Sequence, residues 1–280
     1  MKAIKPILLI CAALCFATAC KKDVDMTLVQ KTVYENTDIS LFHVDDAWDV
    51  TFVYDSLNSY VELEYSAYLE EYVSVWDTNG WLDIGFRGSV YKQPGSVFKA
   101  KVHTSEREQL SIMAENASII TMEGLFKLEH IDLELHEASV CSGFAVSAES
   151  CYLHLDDGSQ MLGAQYTGTN CSVYVYEESC CKGFFNVEQT FNAGVYGLSQ
   201  LVVFGGSMAY ASVEAKNAFT VNLAQAEVEN MYVYLAEASE ATVNVTDTIS
   251  GFLLSASTLY YKCHPQIDVD CSDDSQLIPF

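Results

Sequence analysis

Stepping forward from Ile131 to Cys151, Cys171, Phe191, Ala211 and Met231, a constant stride, returns the same arrangement of apolar and polar side chains each time, and no other feature of the chain constrains its fold so tightly. Those six residues form the first column. The second reads Leu133, Leu153, Val173, Ala193, Val213, Val233, and the third Leu135, Leu155, Val175, Val195, Ala215, Leu235. All are apolar. The residues between them, among them Asp132, Glu134, Tyr152, His154, Ser172, Tyr174, Glu214, Tyr232 and Tyr234, are mostly polar or amphipathic, as a strand with one buried face requires. A corner follows at Ser139, Ser159, Ser179, Ser199 and Ser239, with Phe219 the exception. A second strand then places Cys141, Met161, Cys181, Leu201, Val221 and Ala241 inward, followed by Gly143, Gly163, Gly183, Val203, Leu223 and Val243.

A fixed period of two strands and a corner describes coils stacked on one another, each burying its apolar face only against its neighbours. The expected architecture is therefore all-β, a right-handed parallel β-helix of about 20 residues per coil with a less regular N-terminal β cap. A leucine-rich repeat has a similar period, but it needs an Asn or Cys position after its strand and often a helical return, whereas the returns here alternate like strands. Residues 110–122 read as one earlier coil offset by 21, through Ile112, Ala114, Ala117 and Ser118. Upstream, Val61 to Tyr65 and Tyr72 to Val75 alternate as strands, and Asn79-Gly80 between Trp76 and Trp81 is a hairpin signal. The organisation expected is a signal peptide (1–19), a tether (20–36), an N-terminal β region (37–103), the coils (104–265) and an acidic C-terminal tail (266–280).

The start of the chain bears on location. Lys2 and Lys5 precede an apolar run from Pro6 to Phe16, which is too short to span a bilayer and is closed by Lys21 and Lys22. Ala17-Thr18-Ala19-Cys20 is similar to a bacterial lipobox, so Cys20 is expected to carry lipid and to tether the mature protein to a membrane without crossing it; an ordinary secretory signal is the competing reading. A bacterial outer-membrane lipoprotein, periplasmic or surface-exposed, is the location this implies.

Removing residues 1–19 takes two lysines and no acid, leaving 12 basic against 38 acidic residues and a net charge of −26. Nucleic acid is thereby excluded as a partner, since Arg87 and Arg107 are the only arginines and lysines are sparse. Of ten cysteines, Cys11 and Cys15 leave with the signal and Cys20 is lipidated, so seven remain.

The opening alternating strands, the segment Asn79-Gly80-Trp81-Leu82-Asp83-Ile84, the corners Ala117-Ser118, Ala138-Ser139 and Ala238-Ser239, and the closing run Leu254 to Pro265 together resemble the auto-transporter adhesin head domain, or GIN domain, over roughly Asp38 to Pro265. Cys263 stands where that family has a glycine. The resemblance implies a right-handed β-helix on the cell envelope of Gram-negative bacteria; the family name points to adhesion but supplies no ligand and no catalytic residue to carry over.

The candidate binding face consists of Tyr152, Tyr174, Tyr176, Tyr196, Tyr232 and Tyr234, with His136 and His154 on neighbouring coils. Such a face can stack on sugar rings or join a partner protein, while the plainer explanation is that tyrosine suits exposed strands. Cys263 and Cys271 are the pair best placed for a disulfide, closing a short loop; Cys151 and Cys171 fall in one inward column and read as buried thiols. Cys180-Cys181 lacks converging histidines for zinc, and Asp156-Asp157-Gly158 and Asp268-Val269-Asp270 lack the spacing of a calcium loop. No residue is assigned to catalysis, to a metal or to a cofactor. The expected function is a non-catalytic envelope module for adhesion or assembly, with a glycan or protein as ligand. A carbohydrate-active enzyme on the same scaffold and a purely structural lipoprotein are the alternatives.

Overall fold

The computed structural model describes residues 24–35, 39–78, 80–105, 108–218, 220–272 and 274–280. The expected signal segment and Cys20 lie outside the described residues, as do Asp38, Asn79, Arg107, Phe219 and Asp273. The chain forms a parallel β-solenoid of about eight turns, with equivalent residues about 20 positions apart.

The solenoid begins where the sequence is least periodic. Strands β1 (Leu28–Val33), β2 (Leu41–Val44), β3 (Asp49–Tyr54), β4 (Tyr60–Ser66), β5 (Val73–Thr78), β6 (Trp81–Phe86) and β7 (Phe98–Thr104) precede β8 (Gln109–Ala114) and β9 (Ile119–Glu123). β2 pairs in parallel with both β6 and β8, and β3 with both β7 and β9. The first rung of the stack is therefore sandwiched between a later segment and the coil that starts at β8. β1 and β4 then pair antiparallel outside β7, and β5 antiparallel outside β6. This terminal layer turns the strand direction around and covers the edge of the parallel stack, as expected of a cap. The β5–β6 hairpin closes from Thr78 to Trp81, with Gly80 at φ +89°.

Beyond the cap the chain climbs one rung at a time through β10 (Phe126–Leu135), β11 (Val140–Ser142), β12 (Ala145–Leu155), β13 (Gln160–Val175), β14 (Cys180–Tyr196), β15 (Gln200–Gly205), β16 (Ser207–Lys216), β17 (Thr220–Ala236) and β18 (Glu240–Leu253). The register is the one read from the period: Ile131 aligns with Cys151, Cys151 with Cys171, Cys171 with Phe191, Phe191 with Ala211 and Ala211 with Met231. All eighteen residues of the three columns are at most 4% exposed. Rungs sit ~4.8 Å apart, so each column is a continuous ladder of packed side chains. The offset of 21 holds between β8 and β10, Leu110 aligning with Ile131.

Each turn has a third wall that the two-strand reading leaves out. After the second strand the chain bends again and buries Val146 and Ala148, Tyr166, Phe185 and Val187, Met208, Val228 and Val245 on successive turns. Gly143 and Gly163, expected to point inward, are instead the exposed hinge of that bend at φ +70° and +76°, and Phe144 and Ala164 supply the inward side chains. Glycine adopts this conformation without the Cβ clash that other residues suffer.

The serine corner follows from backbone geometry. Asn116-Ala117, Glu137-Ala138, Asp157-Gly158, Glu177-Glu178, Gly197-Leu198, Glu237-Ala238 and Ser255-Ala256 all adopt positive φ, two successive left-handed residues per turn. Each such L-residue costs ~1–2 kcal/mol alone. The stack offsets this cost by joining corner to corner: Ala117 N donates to Glu137 O at 2.8 Å, Ala138 N to Asp157 O at 2.9 Å, and Gly158 N to Glu177 O at 2.9 Å. The serine that follows is buried, and at three corners its hydroxyl serves the rung below: Ser139 Oγ accepts from Ser118 N at 3.2 Å, Ser179 Oγ from Ser159 N at 3.0 Å and Ser239 Oγ from Ala218 N at 3.1 Å, whereas the Ser159 and Ser199 hydroxyls have no such partner.

Residues 266–280 are not a tail. β19 (Thr258–Lys262), β20 (Gln266–Cys271) and β21 (Gln276–Pro279) continue the stack, β20 on β18 and β21 on β19. Here the step shortens to 18, Met231 aligning with Ile249 and Ile249 with Ile267, which takes the segment off the regular grid. The expected Cys263–Cys271 disulfide is absent, both thiols being free. Cys263 precedes β20 and Cys271 is its last residue, and a strand of that length spans roughly 16 Å, against the ~7 Å limit between Cα atoms for a bridge. Cys263 lies instead at 3.0 Å from Asn244 Oδ1. Cys263 adopts φ +72°, a left-handed backbone that strains any residue but glycine, so this last corner is held at the cost of strain.

Candidate functional site

The aromatic face forms on the first wall because residues between the inward columns must point outward, and parallel register sets them in rows. Along one row Glu134, His154, Tyr174, Gly194, Glu214 and Tyr234 align rung by rung; along a second, Asp132, Tyr152, Ser172, Asn192, Ser212 and Tyr232. His136, Asp156, Tyr176 and Tyr196 lie at the edge leading into the corner.

The rings stack on one another. His154 lies 5.2 Å from Tyr176 and Tyr176 4.9 Å from Tyr196, centroid to centroid, both pairs stacked, while Tyr152 and Tyr174 are 5.7 Å apart and tilted. Gly194 makes this possible: a Cβ there would come within 2.8 Å of both the Tyr174 and Tyr196 rings, which fold over the bare backbone. All six tyrosines are half-buried. Tyr232 and Tyr234 are set apart from the other four by a polar rung, in which Lys216 bonds Glu214 at 2.6 Å and lies 5.1 Å above the Tyr234 ring. The sequence-predicted face is thus one cluster of four tyrosines with His154, and a smaller outlier joined to it through Glu214 and Lys216. Burial, then the Glu214 charge, pushes the Tyr196 hydroxyl up to about 12; burial also raises Tyr152 and Tyr176. These hydroxyls stay protonated at neutral pH and can both donate and accept.

At the N-terminal end of the strip the register brings together three groups that the sequence reading did not assign to a metal. His136 Nδ1 lies 2.7 Å from Asp156 Oδ1, and His154 Nε2 lies 3.3 Å from Asp156 Oδ2. The cluster is half-buried, and one donor atom from each residue lies within 4.8 Å of the other two. The signal was present in the period, since 136 and 156 are one rung apart and 154 and 156 share a strand side.

Three other surfaces lie outside the aromatic strip. Leu125 and Phe184, 53% and 46% exposed, flank a groove of about 550 Å³ over Tyr166, and Phe204 packs 5.7 Å from Phe184. A shallow groove of about 560 Å³ on the third wall gathers Glu188, Glu227, Glu229 and Asp247. In the cap, a groove of about 440 Å³ is lined by Lys31, Lys99 and Lys101 with Glu62 and Glu64.

Four cysteines, Cys141, Cys151, Cys171 and Cys181, are buried in the core, with Cys151 aligned on Cys171, and all are free. Burial holds Cys141 up at about 12 and raises Cys171 and Cys181 as well, so none of these three is a nucleophile at neutral pH. Asp157 and Gly158 are corner residues, and Asp268 and Asp270 are exposed on β20.

No family model matches the chain, and no curated protein does. Solved structures do. A "putative lipid binding protein" from Parabacteroides distasonis has a TM-score of 0.68 at 12% identity, over 92% of this chain and 98% of that one. A "putative adhesin" from the same species has a TM-score of 0.65 at 13% identity, over 91% and 98%. A "putative adhesin" from Parabacteroides merdae has a TM-score of 0.61 at 12% identity, over 91% and 96%. At these identities the likeness is one of fold, and it extends along nearly the whole of each chain.

Proposed function

We propose that this protein is a non-catalytic, lipid-anchored module of the bacterial cell envelope that binds or assembles through the aromatic strip from His154 to Tyr196. The observation that carries the reading is the ring-on-ring stacking of that strip across successive rungs. Rings already held by their neighbours lose little side-chain freedom on contact with a sugar ring or a flat protein surface. Folds shared with two adhesin-like proteins support the same reading at the level of scaffold.

The test is binding of the purified chain to an array of host and bacterial glycans and matrix proteins, with and without calcium, beside a Tyr174→Ala/Tyr196→Ala variant. Binding lost in the variant supports the strip as the site; binding that persists, or none to any surface, overturns it. Anchoring is read separately: Cys20→Ser should move the protein from the membrane fraction to the soluble one.

The acidic groove of Glu188, Glu227, Glu229 and Asp247 favours the carbohydrate-active alternative, since glycoside hydrolysis uses paired carboxylates. Release of reducing sugar that disappears in Glu227→Gln/Glu229→Gln would establish that reading in place of the first.

A further inference from the structure

We propose that His136, His154 and Asp156, at the end of the aromatic strip and sharing His154 with it, bind a transition-metal ion of the zinc(II) class. Two imidazole nitrogens converge on one carboxylate, at 2.7 Å and 3.3 Å from its two oxygens. A nitrogen lone pair turned toward a carboxylate is repelled unless a proton or a cation lies between them. A tetrahedral ion with bonds of roughly 2.0–2.2 Å places its donors roughly 3.2–3.6 Å apart. The observed spacing, every donor within 4.8 Å of the others, lies within a small side-chain adjustment of that.

The remote nitrogens strengthen the assignment. His136 Nε2 faces Glu134 Oε2 at 3.5 Å, and His154 Nδ1 faces the Tyr152 hydroxyl at 3.3 Å. A proton on each of these nitrogens directs both remaining lone pairs at the same point beside Asp156. Metal-bound histidines are commonly held in this way, by a carboxylate or another polar group on the far side of the ring. The rings are also fixed sideways, His154 against Tyr176 at 5.2 Å and His136 against His154 at 5.5 Å. Because His136 sits one rung below Asp156, the ion would bridge two turns of the solenoid.

Donor chemistry sets the class. Two imidazoles and one carboxylate suit zinc and its neighbours such as copper and nickel, whereas calcium and magnesium prefer all-oxygen sites. The half-exposed cluster leaves a fourth position open to water or to a donor from a partner. Elsewhere among the described residues, His43 with Asp83 and Glu115, and His103 with Asp55 and Glu62, offer one imidazole each and serve as internal comparisons.

The experiment is competition of the EDTA-stripped, purified chain with a chromophoric chelator for zinc, together with the visible absorption of the cobalt(II) form. One ion per chain is expected, with His136→Ala and His154→Ala each weakening binding at least ~10-fold, Glu134→Gln by a similar factor, and His43→Ala leaving it unchanged. Thermal melts of the variants without metal establish that the fold is intact. Absent zinc binding, binding indifferent to His136→Ala and His154→Ala, or equal competition by calcium would overturn the proposal.

Discussion

The coils and the cap use the same strands to solve different problems. From β8 onward each rung is the next segment of chain: Leu110 aligns with Ile131, Cys151 with Cys171 and Met231 with Ile249. In the cap, sequence order and spatial order part company, since Leu41 of β2 aligns with Trp81 of β6 on one side and with Ser111 of β8 on the other. The coils are specified by a column that tolerates Ile, Cys, Phe, Ala or Met in turn. The cap depends on particular side chains. Trp48 is fully buried at its inner corner against Phe86 and Phe98, and His43 reaches Asp83 on one adjoining rung at 2.8 Å and Glu115 just past β8 at 3.2 Å. Repetition makes a segment replaceable, and non-repetition makes it unique.

The largest effect should come from removing whole segments. Excising residues 152–171, one full rung, keeps every column in register, and the shortened protein should still melt cooperatively by circular dichroism at a lower Tm. Excising a stretch of equal length from the cap, positions 81–100, should leave no cooperative transition. Equal outcomes for both excisions would break the contrast. Next in size, Trp48→Ala should cost about 3–5 kcal/mol in denaturant unfolding, because the cap cannot collapse around the space left. A cost below about 1 kcal/mol would place the cap's stability elsewhere. At the other end of the stack, Cys263→Gly should stabilise by about 1 kcal/mol by relieving its left-handed backbone. A loss of stability would show that the Cys263 contact with Asn244 outweighs the strain.

The smallest effect concerns His43. Burial disfavours its charge, but hydrogen bonds to Asp83 and Glu115 outweigh this and hold its pKa above the ordinary 6.5. Its contribution is fully present below the unfolded value and is lost as pH rises through the raised folded value. Unfolding midpoints should therefore fall as pH rises past that point in the parent chain and fall less in His43→Gln. An identical slope in both would remove His43 from the account.

The period made the coils legible, columns and corners alike, because strict alternation leaves only one register that buries Leu133, Leu153 and Val173 together. The third wall was hidden because Gly143 and Gly163, read as inward residues, are the bend that creates it. The final rung was hidden because the step drops to 18 there and acids at Asp268 and Asp270 suggested a solvated tail. The tyrosine rows could be read from alternation, but their stacking could not, since it depends on Gly194 leaving room for two rings. The histidine pair was visible as residues on neighbouring coils; that Asp156 completes it required pairing outward positions as carefully as inward ones.

The buried thiols set a race during folding. Cys141, Cys151, Cys171 and Cys181 are shielded only once the rungs above and below them have closed, and until then each is as open to oxidants as any thiol on a loose chain. Long-range pairing through successive parallel rungs is slow to assemble. A sulfur captured early would hold two rungs at the wrong spacing, whereas one enclosed in time is out of reach. Refolding yield should thus turn on how quickly the stack closes relative to the oxidising power of its surroundings, a vulnerability that for these four thiols is confined to assembly.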